Sequence, residues 1–359
     1  MRICLNMIVK NEAPVIERCL RSAKPLVDAW AISDTGSTDG TQVIIRNFMR
    51  DLPGELIERP WVDFATNRNE ALKLAKKHGD YALVIDADDV FETDANFAWR
   101  ELTAPGYLLE IVFAELRYGR IALAKLDAGW KWEGVLHEVL TSPQPALAQT
   151  LDGIRIRVNT DGARSRQPQE QKFSRDADVL RHALEKEPGH TRYAFYLAQS
   201  LRDAGRLAES LTAYGHRVAM AGWPEEVYFS KFQIGRLKEM TGAPYTEVVS
   251  AYLDAFDARP LRAEAPCAAA RYFRLNSRWH LARQYAEIAA TLPLSDDVLF
   301  VDRTVHDWRA RDEWSIASYW CGDYAASARL CKELLTNRRL PDTERTRVEK
   351  NLAFAVAKS

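Results

Sequence analysis

The fold is decided by the stretch Tyr81-Ala82-Leu83-Val84-Ile85-Asp86-Ala87-Asp88-Asp89, an apolar run that ends in three carboxylates. An apolar run without alternation predicts a strand covered on both faces, as in a parallel sheet. Carboxylates at the end of such a strand lie where α/β proteins bind ligands. A hard divalent cation carrying a diphosphate would relieve the repulsion between them, because it prefers oxygen ligands. The alternative is a polar turn whose aspartates cap the following helix.

Length and composition predict a two-domain protein of the cytoplasm. The chain has 359 residues, of which 47% are hydrophobic and 28% charged, with a net charge of −1. This charge balance argues against bulk nucleic-acid or anionic-membrane binding, although it leaves a nucleic-acid acceptor possible. The five cysteines are odd in number and lack paired zinc spacing, which indicates reduced thiols. No signal peptide and no membrane span are expected, since Met1-Arg2 leads straight into a strand.

Up to about residue 160, strand and helix signals alternate, which predicts a largely parallel sheet between helices. The predicted strands are Ile3–Val9, Ala29–Ser33, Glu55–Arg59 and Tyr81–Asp86, and the predicted helices are Val15–Ser22, Thr41–Met49 and Asn67–Lys77. Four shorter strands suggest an added antiparallel edge: Tyr107–Val112, Ile121–Leu126, Val139–Thr141 and Ile154–Val158.

Beyond a polar stretch at 160–170, which we interpret as a linker, only helical periodicity remains. Gly205 and Gly242 lie 37 residues apart and each follows an apolar helical segment, and Gly322 occupies a similar place in a last unit. These spacings are close to the period of about 34 residues of tetratricopeptide repeats, in which each helical hairpin buries its apolar face on its neighbours. The alternative is an irregular helical bundle.

A second cluster follows the second predicted strand. Asp34 can accept hydrogen bonds from a nucleotide base or ribose, and Gly36 would let the backbone approach a ligand closely. Ser37, Thr38 or Asp39 can instead cap the helix that begins near Thr41. We expect both: Asp34 binds, and the later residues cap.

Four motifs together resemble the family 2 glycosyltransferases of the GT-A fold: Asn6–Glu12, Asp34–Thr41, Asn67–Ala71 and Asp86–Asp89. The resemblance extends to bacterial and phage-type members with a tetratricopeptide tail, some of which glycosylate peptides. It implies a GT-A domain over residues 1–165 and a tetratricopeptide-like helical domain over 166–359. It also implies inverting transfer of a sugar from a nucleotide-sugar donor, with UDP-hexose as the expected donor and Mn²⁺ or Mg²⁺ as cofactor.

The resemblance also assigns residues to the donor. Asn11 and Glu12 lie where the first loop meets the nucleotide, Asp34 where the base is contacted, and Arg68 where a cation meets the base or diphosphate. Asn67 and Glu70 have the separation of a capping box, which would place Arg68 on the first turn of its helix.

The residues of the acidic motif are expected to bind two different partners, the ribose and the metal. The resemblance assigns Asp86 to the ribose and Asp88 to the metal, and it leaves Asp89 as a neighbour of uncertain role. Residues two apart on a strand point to the same side, so both carboxylates would face the nucleotide.

A third cluster is Trp130-Lys131-Trp132-Glu133-Gly134-Val135-Leu136-His137-Glu138. By the resemblance, His137 is an additional manganese ligand and Glu138 the general base that deprotonates the acceptor. Asp89 rivals Glu138 as the base, Glu133 is a further candidate, and His137 can instead be structural. Of the two tryptophans, we expect one in the core and one at the acceptor.

Two other functions stay open. A sugar-nucleotide nucleotidyltransferase would need a Gly-rich loop after the first strand, where this chain has Lys10–Pro14. A catalytically inactive binding scaffold is disfavoured by the intact acidic triplet. The expected acceptor is a saccharide or a peptide, with a modified base in phage DNA disfavoured by the charge, and the helical domain is expected to hold the acceptor, bind a protein partner or self-associate.

Overall fold

The computed structural model describes residues 1–114, 116–144 and 147–359, which divide into two compact units, Met1–Ala183 and Leu184–Ser359. The first is an α/β unit and the second is helical. The domain boundary after residue 165 stays a prediction, and helix α4 (Gln169–Lys186) runs across the division between the units. Within the described residues, no helix has the length and apolar character needed to cross a membrane.

The described part of the first unit contains an eight-stranded sheet in the order β3-β2-β1-β4-β7-β6-β10-β5 and a separate β8–β9 hairpin. The strands are β1 (Ile3–Val9), β2 (Ala29–Asp34), β3 (Gly54–Glu58), β4 (Tyr81–Val84), β5 (Val90–Thr93), β6 (Gly106–Phe113), β7 (Leu116–Lys125), β8 (Lys131–Glu133), β9 (Val139–Thr141) and β10 (Gln149–Arg157).

The first four sheet strands, β3, β2, β1 and β4, are parallel neighbours, as the βαβ alternation predicts. β7 pairs antiparallel with both β4 and β6, and β10 pairs parallel with β6 and antiparallel with β5. The α/β fold class with an antiparallel addition is therefore confirmed. Strands β5 and β8 were absent from the sequence-based prediction.

Helices cover both faces of the parallel strands: α1 (Ile16–Ala23) and α2 (Thr41–Phe48) on one, α3 (Phe64–Ala75) on the other. Alternate residues of β1 enter the two cores, so that Leu5 packs in the cluster of Leu20 while Cys4 packs in that of Leu72. Asn6 is buried on the α3 side, where Nδ2 donates to the carbonyl oxygens of Ala31 and Ala71 at 3.1 and 2.8 Å.

The second unit is built from helical hairpins. Its helices are α5 (Thr191–Asp203), α6 (Leu207–Ala219), α7 (Pro224–Met240), α8 (Tyr245–Ala258), α9 (Glu264–Leu275), α10 (Trp279–Thr291), α11 (Ala310–Trp320), α12 (Tyr324–Thr336) and α13 (Asp342–Val356). Each of these helices packs against the next along the chain. This stacking of successive hairpins is that of a tetratricopeptide-like domain, as predicted.

One left-handed residue recurs in the turns of these hairpins. It lies two positions beyond the first helix of each pair: Gly205, Gly242, Ser277 and Gly322, with φ of 75, 70, 57 and 81°. Glycine is favoured there because a Cβ atom strains the left-handed conformation. The α9–α10 hairpin was missed from the sequence because its turn carries serine in place of glycine.

Replacing this serine should stabilise the helical unit. Ser277→Gly should raise the free energy of unfolding by about 0.5–1 kcal/mol, because the exposed side chain has no hydrogen bond to any described residue and the left-handed strain is removed. The reciprocal Gly205→Ser should lower it by a similar amount, since only the backbone strain changes in that open turn. Thermal unfolding by circular dichroism would measure both, and shifts of the same sign in the two variants would contradict this account.

Candidate active site

The candidate site lies at the carboxyl ends of β2, β1 and β4, which are adjacent parallel strands. Asp34 is the last residue of β2, Asn11 and Glu12 follow β1, and the acidic turn Asp86–Asp89 follows β4. Because neighbouring parallel strands end at one edge of the sheet, the sheet brings these three segments together at its ligand-binding edge.

Asp34 is a buried carboxylate with one oxygen satisfied and one not. Its Oδ1 accepts hydrogen bonds from the N–H groups of Gly36 and Ser37 at 3.0 and 2.9 Å, and from Nε2 of Gln42 at 3.2 Å. Its Oδ2 is buried without a hydrogen-bond partner in the described structure. Such an atom costs free energy unless a ligand donor reaches it.

The turn after β2 is joined to the loop after β1. Asn11, at φ 57°, donates its N–H to Ser37 Oγ at 2.8 Å and accepts the N–H of Thr38 at 2.8 Å. Of the predicted caps of α2, only the Asp39 side chain accepts a main-chain N–H of the helix in the described structure, that of Thr41 at 3.1 Å; the N-cap itself is Gly40. Ser37 and Thr38 therefore connect two loops of the site and do not cap the helix.

Arg68 lies farther into α3 than predicted. The helix begins at Phe64 after an N-cap at Asp63, so the predicted capping box at Asn67 and Glu70 is wrong, and so is the placing of Arg68 on the first turn. Asn67 lies inside the helix, where its Oδ1 accepts the N–H of Val62.

Arg68 is a buried residue, 8% exposed, and its guanidinium binds two other predicted site residues. Its Nε donates to Glu138 at 2.6 Å and its Nη2 to Asp86 at 2.5 Å, while the ring of Trp132 lies 4.9 Å below. Burial works against the charged form, but the two carboxylates outweigh it and raise the pKa of Arg68. Burial would likewise raise the pKa of Asp86, but Arg68 and Arg120 lower it to about 2.

The acidic motif forms a turn and not a strand. β4 ends at Val84, and the turn is closed by a hydrogen bond from the Asp89 N–H to the Asp86 carbonyl oxygen at 3.1 Å. Asp86 and Asp88 therefore do not lie on one side of a strand, and the prediction that they do is wrong. Asp89 is 2% exposed, and burial, with the charges of Asp86 and Asp88, raises its pKa to about 8. Burial and Asp86 also raise the pKa of Asp88.

The third cluster forms the β8–β9 hairpin. His137 lies in its turn with φ 53° and an exposed side chain, next to the Glu138 that binds Arg68. Both tryptophans are buried in one core cluster, Trp130 at 6% and Trp132 at 8% exposure, so the expectation that one meets the acceptor is not supported. Among the residues described, no group of three or more His, Cys, Asp or Glu side chains forms a ready metal cage.

The residues interpreted as a linker contribute directly to the site. The segment Asn159–Arg166, here called the strap, contacts both the acidic turn and the first loop. Asn159 donates its N–H to Asp89 Oδ1 and its Nδ2 to the Asp88 carbonyl oxygen, both at 3.0 Å. Ala163 donates its N–H to the Glu12 carboxylate at 3.0 Å. A linker interpretation of residues 160–166 is therefore wrong.

Two further contacts fix the strap. Arg18 on α1 forms a bidentate pair with Asp161 at 2.7 Å and also donates to the Asp88 carbonyl oxygen at 2.7 Å. Gly162 lies so close to Asp88 that a Cβ atom on it would stand 2.4 Å from the carboxylate. The sequence analysis singled out neither Asp161 nor Gly162, because a polar segment without periodicity gives no signal of what it contacts.

Comparison with known proteins identifies the first unit. Residues 4–96 match the family model for glycosyl transferase family 2, a range that includes all four motifs of the resemblance. The chain carries a family 2 glycosyltransferase domain. An uncharacterized glycosyltransferase of Rickettsia bellii is 33% identical over 88 residues, which cover 24% of this chain and 28% of that protein.

Other similarities involve repeat proteins. A TPR repeat-containing protein of Synechococcus elongatus is 38% identical over 102 residues, covering 28% of this chain and 23% of that protein. The chain thus spans about a quarter of the length of the curated relatives that it matches. A tetratricopeptide repeat protein from Parabacteroides merdae has a TM-score of 0.40 and 18% identity over 53% of this chain and 69% of its own.

The glycosyltransferase domain has a donor set suited to a hard cation. Asp88, Asp89 and Glu12 present carboxylate oxygens near one another, and burial and repulsion from neighbouring carboxylates disfavour the charged forms and raise the pKa of each, although among the described residues they form no ready three-ligand cage. Mg²⁺ and Mn²⁺ favour such oxygen ligands, and Mg²⁺ is commonly held by one or two carboxylates together with substrate phosphates. The residues present therefore fit a divalent cation bound jointly with a diphosphate.

These carboxylates predict a pH-dependent stability of the glycosyltransferase domain. Burial, with a contribution from Asp88, raises the pKa of Glu12 to about 7, and that of Asp89 is about 8, against about 4 in an unfolded chain. Between about pH 4 and pH 8 the folded state holds more protons than the unfolded state, so stability should fall as pH rises.

Asp89→Asn tests this linkage, because asparagine keeps an acceptor for the Asn159 N–H and cannot ionise. Its melting temperature, measured with a chelator present, should fall less between about pH 5 and pH 8 than that of the wild type. Parallel curves for the two proteins would show that Asp89 does not have the raised pKa.

Proposed function

We propose that this protein is a divalent-cation-dependent, inverting glycosyltransferase that takes a sugar from a nucleotide-sugar donor. The observation that carries the proposal is the buried, unpartnered Oδ2 of Asp34 at the same sheet edge as the acidic turn. A base N–H or ribose hydroxyl of the donor would satisfy that oxygen, while the acidic turn would hold the cation and diphosphate.

The donor-site residues have separate tasks in this proposal. Asn11 and Glu12 border the nucleotide from the first loop, and Asp86, fixed by Arg68, accepts hydrogen bonds from the ribose. Asp88 would hold the cation, with His137 as a second ligand. A bound cation would supply charge neutralisation of the leaving diphosphate.

The general base is proposed to be Glu138, with Asp89 as its rival. Glu138 has a 12% exposed side chain, and its hydrogen bond from Arg68 engages only Oε1, which leaves Oε2 for the acceptor hydroxyl. Asp89 has a raised pKa, but one of its carboxylate oxygens, Oδ1, already accepts the N–H of Asn159. Arg68 therefore acts on both sides of the reaction, orienting Asp86 for the donor and Glu138 for the acceptor.

The finer features of the proposal rest on the family resemblance and composition. They are a UDP-hexose donor, Mn²⁺ or Mg²⁺, a saccharide or peptide acceptor, and a protein partner or self-association for the helical unit. The five cysteines are all unpaired, which supports a reducing compartment such as the cytoplasm.

Donor binding should stabilise the folded protein only when the acidic turn is intact. With Mn²⁺ and a donor at about 100 times its Kd, binding adds about 2.7 kcal/mol to the free energy of unfolding. A thermal-shift panel of nucleotide sugars, with and without Mn²⁺, would find the donor. Asp88→Asn should abolish the metal-dependent part of the shift.

The control for this experiment is Asp127→Asn, an exposed acid at the end of β7 that should leave the shift unchanged. A metal-dependent shift that survives Asp88→Asn would refute the metal assignment. If the folded wild type responds to no donor, the inactive-scaffold alternative gains support.

Turnover should separate the two candidate bases. Glu138→Gln should lower kcat by about 10²–10⁴-fold while the donor-induced thermal shift persists, because a general base acts on the acceptor in the transition state. Asp89→Asn should reduce kcat less. The reverse order of the two variants in a donor-saturated transfer assay would assign the base to Asp89.

A further inference from the structure

The strap brings two arginines to the donor site, and only one of them has its charge neutralised. Arg164 donates from Nη2 to both carboxylate oxygens of Asp176 at 2.6 Å, and its guanidinium lies 5.0 Å from the centre of the Phe64 ring. Arg18, which faces the strap from α1, is similarly neutralised by Asp161. Both guanidinium groups serve to fasten the strap.

Arg166 is held differently. Its Nη1 donates to the main-chain carbonyl oxygen of Asp161 at 2.9 Å and its Nη2 to that of Asn11 at 3.1 Å. The side chain is exposed and has no ion-pair partner among the residues described. A guanidinium has five N–H donors, so these two bonds fix its orientation and leave donors for another acceptor.

Arg166 lies next to the segments that form the proposed donor site. Its Nη2 donates to the main-chain carbonyl oxygen of Asn11, the residue directly before Glu12 in the first loop. The same strap contacts Asp88 through Gly162. Arg166 is therefore a cation that has no ion-pair contact among the described residues and is held at the loop that carries Asn11 and Glu12.

We propose that Arg166 is a diphosphate-binding residue of the donor site, mounted on the strap so that its free N–H groups meet the phosphate oxygens of a nucleoside diphosphate. This inference rests on the proposed function. The guanidinium fork matches phosphate geometry, and its charge-assisted bonds are about twice as strong as neutral ones. Because carbonyl oxygens already orient the group, little side-chain freedom is lost when phosphate binds.

Calorimetric binding to the intact chain tests the proposal. The probe is whichever of UDP, GDP, CDP and TDP binds the wild type best, and its parent nucleoside is measured by competition against it. Arg166→Gln should weaken the diphosphate by about tenfold or more and leave the nucleoside unchanged. Its affinity for the diphosphate should also depend less on salt concentration, because one phosphate contact is lost.

Arg175→Gln is the matched control. Arg175 is also an exposed arginine of the first unit and bonds to a neutral oxygen, Oε1 of Gln167 at 3.1 Å. Arg175→Gln should change neither the affinity for the diphosphate nor that for the nucleoside. Arg166→Lys should recover part of the diphosphate affinity, since it restores the charge but not the fork.

The outcomes separate this inference from the function on which it rests. Unchanged diphosphate affinity in Arg166→Gln overturns the role of Arg166 and leaves the proposed function intact. An equal loss for diphosphate and nucleoside also overturns it, because Arg166 would then act only by holding the strap against Asn11. A wild type that binds none of the four diphosphates refutes the proposed function itself.

Discussion

The site depends on one buried guanidinium. Arg68 joins three segments that are distant in the sequence: helix α3, the turn after β4 through Asp86, and the β8–β9 hairpin through Glu138. Removing one member of such a buried ionic group typically costs about 3–5 kcal/mol, because the remaining charges lose their partner in a poorly solvated place. The ring of Trp132 below the guanidinium further restricts where it can lie. The positions of the Asp86 and Glu138 carboxylates are thus set by the same side chain.

Arg68 also explains why three acids of one turn differ in pKa. It outweighs the effect of burial and lowers the pKa of Asp86 to about 2, whereas burial, together with repulsion from Asp86, raises the pKa values of Asp88 and Asp89. One turn therefore contains a carboxylate that is firmly ionised and two whose charged forms are disfavoured by burial and repulsion. When the environment gives neighbouring carboxyl groups different pKa values in this way, the groups commonly have different roles in catalysis. A cation placed at Asp88 would remove the repulsion without disturbing the pair between Arg68 and Asp86.

The sequence predicts those parts of the structure that depend on local patterns. Apolar runs located β1, β2 and β4, and the acidic residues at their ends located the sheet edge where the site lies. The predicted start of α3 was wrong because Asn67 and Glu70 have the spacing of a capping box. In the structure the cap is Asp63, whose side chain accepts the N–H of Thr66 in the first turn. The α9–α10 turn was missed because Ser277 tolerates a conformation that normally favours glycine.

The strap could not have been predicted in the same way. Its contacts to Glu12 and Asp89 join residues far apart in the chain, and they are made by the backbone N–H groups of Ala163 and Asn159, which any residue except proline supplies. Polar composition therefore describes the strap and a solvated linker equally well. The strap differs from a solvated linker because its amides donate hydrogen bonds to buried carboxylates. Without these amides, Glu12 and Asp89 would each lose a hydrogen-bond donor. Burial already disfavours the charged form of both groups, so the loss would be costly. The acidic edge of the sheet thus requires a segment such as the strap, and the strap in turn brings Arg166 to that edge.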